Sequence, residues 1–280
     1  MDKFKLFTIG GLGSFTVPDI GKFPGGEIRV KLPVFLGLPE MVRIEALLFN
    51  SDDVMTLVML TDALRERGVE KIRLTMPYIP YARQDRVCND GEAFSVRAFA
   101  RIINALQFSS VVVWDAHSDV SVALLDRCIN VPRYQLMVSN PDIANWINTN
   151  LASETPMYLV SPDAGAVKKS YDIAKAFPQF KGIIFAEKVR DPATGKILRT
   201  DIPKLPDDIE QAALLVCDDI CDGGRTFTEL ANWFTDAPAR PQPKEMNLYV
   251  THGIFSQGME VLLKHFDNVW SETNFEYKKS

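Results

Sequence analysis

From about Asp53 onward, the chain alternates between two hydrophobic periods. Val54–Arg67 (VMTLVMLTDALRER) places Val54, Leu57, Val58 and Leu64 close to one stripe, which predicts a helix. KIRLTMPYIPY (71–81) follows as a strand that ends in prolines. Ser95–Gln107 is the clearest helix, with Val96, Phe99, Ala100, Ile103 and Leu106 on one face and Ser95 expected as its N-cap. VVVWD (111–115), YLVS (158–161), GIIFA (182–186), ALLVC (213–217) and NLYVT (247–251) read as strands. Helices are expected near 166–177, near 226–235 and over SQGMEVLLKHF (256–266).

Short apolar strands alternating with amphipathic helices predict an α/β fold of mainly parallel sheets flanked by helices. VVVW and GIIF are continuously apolar, as burial on both sheet faces requires. Pro132, Pro141 and the polar run SNPDIAN suggest a boundary near residue 140, giving domains 1–140 and 141–280. The stretch 190–210 (RDPATGKILRTDIPKLPDDIE) has little apolar periodicity and is expected to be a functional mobile loop or disordered. GGLG (10–13) matches no phosphate motif and reads as a turn.

Composition narrows the class without changing the fold. The 280 residues are 46% hydrophobic and 24% charged, with a net charge of −5 and no basic block, so nothing points to nucleic acid. No apolar run approaches the ~20 residues of a membrane span, and the N-terminus carries no signal-peptide pattern. Cys88, Cys128, Cys217 and Cys221 form no C-x-x-C pair, and the three histidines do not join them at zinc-ligand spacing. A reduced, cytoplasmic protein is expected.

The chemistry collects at the strand ends. Asp115, His117 and Asp119 follow one strand, Ser161, Asp163 and Gly165 another, Glu187, Lys188 and Arg190 a third, and Thr251, His252 and Gly253 a fourth. Ligands of open parallel sheets sit beyond the carboxyl ends of the strands. The fifth end, CDDICDGGRT (217–226), combines acids with glycines. Backbone N–H groups of Asp222–Thr226 suit an anion at a helix start, whereas Asp218 and Asp219 suit hydroxyls one sugar-length away. A sugar phosphate has both features.

CDDICDGGRT resembles the phosphoribosyl-pyrophosphate (PRPP) loop of type I phosphoribosyltransferase folds. PYIPYARQDR (77–86), WDAHSD (114–119), SPDAGAVKK (161–169), EKVRD (187–191) and THGIFS (251–256) further resemble the ribose-phosphate pyrophosphokinases, or PRPP synthetases, in family order. The resemblance implies transfer of the β,γ-pyrophosphoryl group of ATP to ribose 5-phosphate, giving PRPP and AMP. It implies that Asp218 and Asp219 hold the ribose hydroxyls, while Asp222, Gly223, Gly224, Arg225 and Thr226 wrap the 5-phosphate. It assigns Phe23, Glu27, Arg83, Gln84 and Asp85 to ATP, and His117 and Asp163 to Mg²⁺. Lys188 and Arg190, at the base of a flexible loop, would stabilise the transferring phosphoryl group. It also implies homo-oligomers, dimeric or hexameric.

The sequence departs from the family at several points. Gly25 stands where a polar residue is usual, DGGRT replaces the more frequent DT-x-GT, and VWSETNFEYKKS replaces the usual ending. Three other functions share parts of the pattern: a PRPP-consuming phosphoribosyltransferase, a catalytically silent synthetase-like regulatory subunit, and a sugar-phosphate-binding module without chemistry.

Overall fold

A computed structural model describes residues 2–9, 15–33, 37–190, 197–235 and 240–275; for 15, 188–190 and 197–199 it describes the backbone alone. The GGLG turn therefore lies outside the described residues. The chain forms two compact units, Met1–Pro132 and Arg133–Ser280. The polar run around residue 140 opens a helix: Asn140 accepts from the N–H groups of Asp142 and Ile143, and Pro141 occupies the first turn, where its missing donor costs nothing.

The first unit holds β1 (Phe4–Ile9), β2 (Phe15–Thr16), β3 (Asp19–Lys22), β4 (Ile28–Lys31), β5 (Met41–Ala46), α1 (Ser51–Glu66), β6 (Ile72–Thr75), α2 (Ser95–Ala105), β7 (Ser110–Trp114), α3 (Asp119–Leu124) and β8 (Cys128–Val131). Its main sheet has the order β2-β1-β5-β6-β7-β8. β5 through β8 run parallel, while β1 pairs antiparallel with both β2 and β5. β3 and β4 form a separate hairpin. Leu57, Leu60 and Leu64 of α1 pack with Ile44, Ile72 and Leu74 of the sheet in one core.

α1 starts earlier than its apolar stripe because of a capping box. The Asn50 side chain accepts from the Asp53 N–H at 3.0 Å, and Asp53 accepts from the Asn50 N–H at 3.2 Å. β6 is shorter than its apolar run: after Thr75 the chain turns, and Pro77 and Pro80 cannot donate to a ladder. Ser95 is not the N-cap of α2. It is the first helical residue, Phe94 precedes it, and its hydroxyl donates to the Gln84 side chain instead.

The second unit holds α4 (Arg133–Ser139), α5 (Pro141–Ala152), β9 (Met157–Ser161), α6 (Val167–Ala176), β10 (Gly182–Phe185), β11 (Glu187–Arg190), β12 (Ile197–Asp201), β13 (Ala213–Cys221), α7 (Arg225–Thr235), β14 (Glu245–Gly253) and β15 (Asn268–Asn274). Its sheet, β10-β9-β13-β14-β15, is parallel throughout. β13 shows why its run is so apolar: Leu214 and Val216 enter one core cluster, Ala213, Leu215 and Cys217 the other. Both faces are buried, as a parallel sheet demands.

Within the stretch 190–210, Arg190 ends β11, residues 197–201 form β12 and Ile209–Gln211 form a 3₁₀ turn, so these described residues carry secondary structure. The helix expected over 256–266 is replaced by turns and a short 3₁₀ segment, Met259–Val261, entered through Gly258 at φ 85°. The divergent tail supplies β15, the edge strand beside β14.

Candidate functional site

The segment expected to take a sugar phosphate is built from a strand end and a helix start. β13 continues through Cys221, so Asp218 and Asp219 are strand residues rather than loop residues. Asp219 is buried and Asp218 retains 18% side-chain exposure. The loop is only Asp222–Gly224, and α7 begins at Arg225. Gly224 has φ 78°, and a Cβ there would lie 3.0 Å from Leu262 Cδ2, so the turn needs glycine on two counts. Its carbonyl accepts from the N–H groups of Phe227 and Thr228, which closes the first turn of α7.

The THGIFS segment braces this loop through its backbone. Ile254 and Phe255 donate to the Cys221 carbonyl at 2.8 and 3.1 Å, and Ser256 donates to the Asp222 carbonyl at 3.2 Å. A Cβ on Gly253 would fall 2.0 Å from the Phe255 ring, so the close passage of this strand end excludes any side chain. His252 is buried within β14, and its Nδ1 lies 2.9 Å from the Thr273 hydroxyl of β15. It is a bracing residue of the sheet. Arg225 reaches along α7 to Glu229 at 2.6 Å and is 82% exposed, so its guanidinium is held in an i,i+4 pair.

Electrostatics concentrate on Asp218. Its Oδ1 accepts from the Asp219 N–H at 2.8 Å and lies 3.9 Å from Arg133 Nη2 at the start of α4. Burial and the neighbouring Asp219 charge push the Asp218 carboxyl well above the usual range; Arg133 opposes them, and Asp163 adds to the rise. Asp163 sits in the β9–α6 connection. Its Oδ1 accepts from the Gly165 and Ala166 N–H groups at 3.0 and 3.2 Å, which fixes the turn into α6. Arg133, only 2% exposed, escaped the sequence reading, because an arginine after Pro132 in a polar stretch carries no motif.

The nucleotide-assigned residues lie in the first unit. Phe23 and Glu27 close the β3–β4 hairpin, with the Phe23 N–H donating to the Glu27 carbonyl at 2.8 Å and the Phe23 ring 52% exposed. A Cβ on Gly25 would meet nothing within 4 Å. Arg83, Gln84 and Asp85 lie in the connection between β6 and α2. Arg83 is exposed, whereas the Gln84 side chain is engaged by Ser95. Burial alone would raise the Asp85 carboxyl, yet hydrogen bonds from Arg86 and Ser118, with the nearby Arg86 and His117 charges, hold it below its ordinary value. His117 is exposed just before α3, two residues after Asp115, which is buried at φ 42°.

Lys188 and Arg190 belong to β11, where Lys188 pairs with Thr200 and Arg190 with Ile197 of β12. Their side chains lie outside the described residues. Among the described residues, no group of three or more His, Cys, Asp or Glu side chains is placed to hold a metal ion.

Comparison with known proteins fits this architecture. Residues 14–106 match the model of the N-terminal domain of ribose phosphate pyrophosphokinase. A ribose-phosphate pyrophosphokinase of Thermococcus kodakarensis is 28% identical over 247 residues, covering 86% of this chain and 79% of the relative. One of Aquifex aeolicus is 29% identical over 238 residues, covering 85% and 71%. The crystal structure of phosphoribosylpyrophosphate synthetase from Mycobacterium smegmatis superimposes with a TM-score of 0.71 at 22% identity, covering 90% of this chain and 78% of that one, and shares its fold. With residues 14–106 matched to the N-terminal family model and relatives aligned across most of the chain, the protein is similar to the ribose-phosphate pyrophosphokinases.

Proposed function

We propose that the protein is a ribose-phosphate diphosphokinase that transfers the pyrophosphoryl group of ATP to ribose 5-phosphate, forming PRPP and AMP. The observation that carries this reading is the junction of β13 and α7, where an acid pair runs directly into a three-residue, glycine-pinned turn. Carboxylates accept hydrogen bonds from ribose hydroxyls, and the turn offers backbone donors to the 5-phosphate. The anomeric oxygen then attacks the β-phosphorus, the bond to the α-phosphate oxygen breaks, and AMP leaves while the hydroxyl proton passes to solvent. Positioning and positive charge supply most of such catalysis, a role that suits Lys188 and Arg190 on β11.

Phe23, Glu27, Arg83, Gln84 and Asp85 are the nucleotide-binding residues of this reading. Mg²⁺ is its metal, and the family resemblance assigns His117 of the first unit and Asp163 of the second to metal-linked positions. Mg²⁺ keeps several waters and binds one or two carboxylates plus substrate phosphates, so the absence of a three-ligand cluster among the described residues suits an ion carried by the nucleotide. The metal would neutralise phosphate charge. None of the four cysteines forms a disulfide, which suits a reducing compartment such as the cytoplasm, and a homo-oligomer is the expected assembly.

The deciding assay incubates the protein with ATP, Mg²⁺ and ribose 5-phosphate and measures AMP and PRPP. AMP formation that depends on ribose 5-phosphate, with matching PRPP, is expected. PRPP consumption with a nucleobase instead would identify a transferase, and no turnover with either pair would leave a silent subunit or a binding module.

A further inference from the structure

We infer that Arg133 is a positioning residue for the sugar subsite, holding the Asp218 carboxylate from behind so that its other oxygen meets the ribose hydroxyls. The inference rests on the sugar-phosphate reading of the β13–α7 junction and extends it to a residue that no part of that reading assigns.

The geometry is specific. Arg133 is 2% exposed, and its Nη2 lies 3.9 Å from Asp218 Oδ1. The Asp219 N–H donates to that same oxygen at 2.8 Å. Among the described residues, both polar contacts to the Asp218 carboxylate therefore fall on Oδ1, which leaves Oδ2 for a ligand hydroxyl. One backbone donor and one guanidinium charge on the same side orient the carboxylate for recognition, because its rotation would lose both.

The charge balance points the same way. Asp218 faces Asp219 on its own strand and the Asp163 charge from the β9–α6 connection, and both charges disfavour its ionisation. An acceptor for sugar hydroxyls works best as a carboxylate, so the cluster needs a cation that does not itself occupy the pocket. Arg133 supplies it from α4. That helix docks through Met137 in the core cluster that contains Cys217 and Tyr249, on the face away from Leu214 and Val216. Its far end is tied down as well: Asn140 and the Tyr249 hydroxyl both donate to Glu272 Oε1, at 2.8 and 2.9 Å. The guanidinium is thereby held on a braced element. At 3.9 Å the contact is longer than a charge-assisted hydrogen bond, so it acts through charge and position more than through a locked fork.

The test measures ribose 5-phosphate binding by calorimetry in the full chain, with binding of a non-hydrolysable ATP analogue in parallel. Arg133→Met keeps the apolar stem and removes the charge. It is expected to weaken ribose 5-phosphate binding at least tenfold and to change analogue binding less than twofold. Arg133→Lys restores the charge without the planar fork and is expected to recover most of the loss. In an Asp218→Asn background, Arg133→Met is expected to add little further loss, because the two residues act as one unit.

Equal losses for both ligands, or Met and Lys variants that behave alike, would overturn the positioning role in favour of simple packing. So would losses that add in the double variant. If Arg133→Met does not fold, the Lys variant in the wild-type and Asp218→Asn backgrounds decides: its smaller loss must disappear in the second background. Wild-type binding of ribose 5-phosphate without AMP formation would sink the synthetase reading while leaving the role of Arg133 to these comparisons. No wild-type binding of ribose 5-phosphate at all would overturn both.

Discussion

Ser95, the first residue of α2, donates its hydroxyl to the side chain of Gln84, eleven residues earlier. The Val96 N–H adds a second tie, to the Gln84 carbonyl at 3.4 Å. A helix start thus anchors the turn that presents Arg83 and Asp85. Ser95→Ala removes a partly exposed hydrogen bond worth about 1 kcal/mol. The expected outcome is a roughly threefold rise in KM for ATP with KM for ribose 5-phosphate unchanged, read by steady-state kinetics. Parallel rises in both constants would mean that the contact only stabilises the unit.

Gly224 combines a left-handed backbone with a neighbour, Leu262, that is 1% exposed and cannot withdraw freely. Gly224→Ala is expected to cost about 1–2 kcal/mol from the backbone conformation alone. It also displaces the turn that the proposed function assigns to the 5-phosphate. Denaturant melts should show the loss of stability, and calorimetry should show at least tenfold weaker ribose 5-phosphate binding. A variant with native affinity would separate this turn from the phosphate.

Lys188 acts, in the proposed mechanism, on charge that develops only during transfer. Lys188→Ala is expected to lower turnover by roughly 100-fold, about 2.7 kcal/mol of transition-state stabilisation, with little change in ATP affinity. Single-turnover assays beside equilibrium nucleotide binding check this. Unchanged turnover removes Lys188 from the chemistry.

The acids at the end of β13 oppose stability as they ionise. The folded state raises the Asp218 carboxyl above its ordinary value, so its favourable contribution is complete below the unfolded-state range near pH 4 and is lost as pH rises toward neutral. Asp219→Asn removes the second-largest cause of that rise. The variant is expected to be more stable than wild type by about 1 kcal/mol at pH 8, with the difference shrinking by pH 4.5. Urea titrations at the two pH values measure it. A difference of equal size at both would show that repulsion is not the source.

Regular periodicity made most of the architecture legible. The stripe through Val96, Phe99, Ala100 and Ile103 marks α2, and all four residues are buried. The apolar runs of β13 and β14 declare a parallel strand pair because both faces are covered, whereas β7 and β10 pair in parallel with half-buried positions despite equally apolar runs. Legibility failed where a few tertiary contacts override local pattern. VLLKH has helical spacing, but Gly258 at φ 85° and the close Gly253–Phe255 passage commit that segment to turns. NVWSETN reads as a tail because a half-exposed edge strand has no continuous apolar run. The short strands of the first unit, such as β2 and β3, carry too few residues for any period to register.

The site divides in the same way. Glycines and acids in fixed order marked the β13–α7 junction in the sequence, and Gly224 does take the left-handed turn there. The partner of Asp218 was invisible because Arg133 lies 85 positions away and joins the site only through folding. The contacts of Arg225 with Glu229, and of Gln84 with Ser95, likewise depend on side-chain directions that spacing does not fix.

In the proposed reading, the elevated Asp218 carboxyl also makes the sugar subsite a store of acidity. Near neutral pH the group is partly protonated, and a ribose hydroxyl that donates to it selects the ionised form. Sugar binding therefore expels part of a proton into the medium. The heat of binding should vary with the ionisation enthalpy of the buffer, and its slope should flatten above pH 8, where the pocket has already given that proton up.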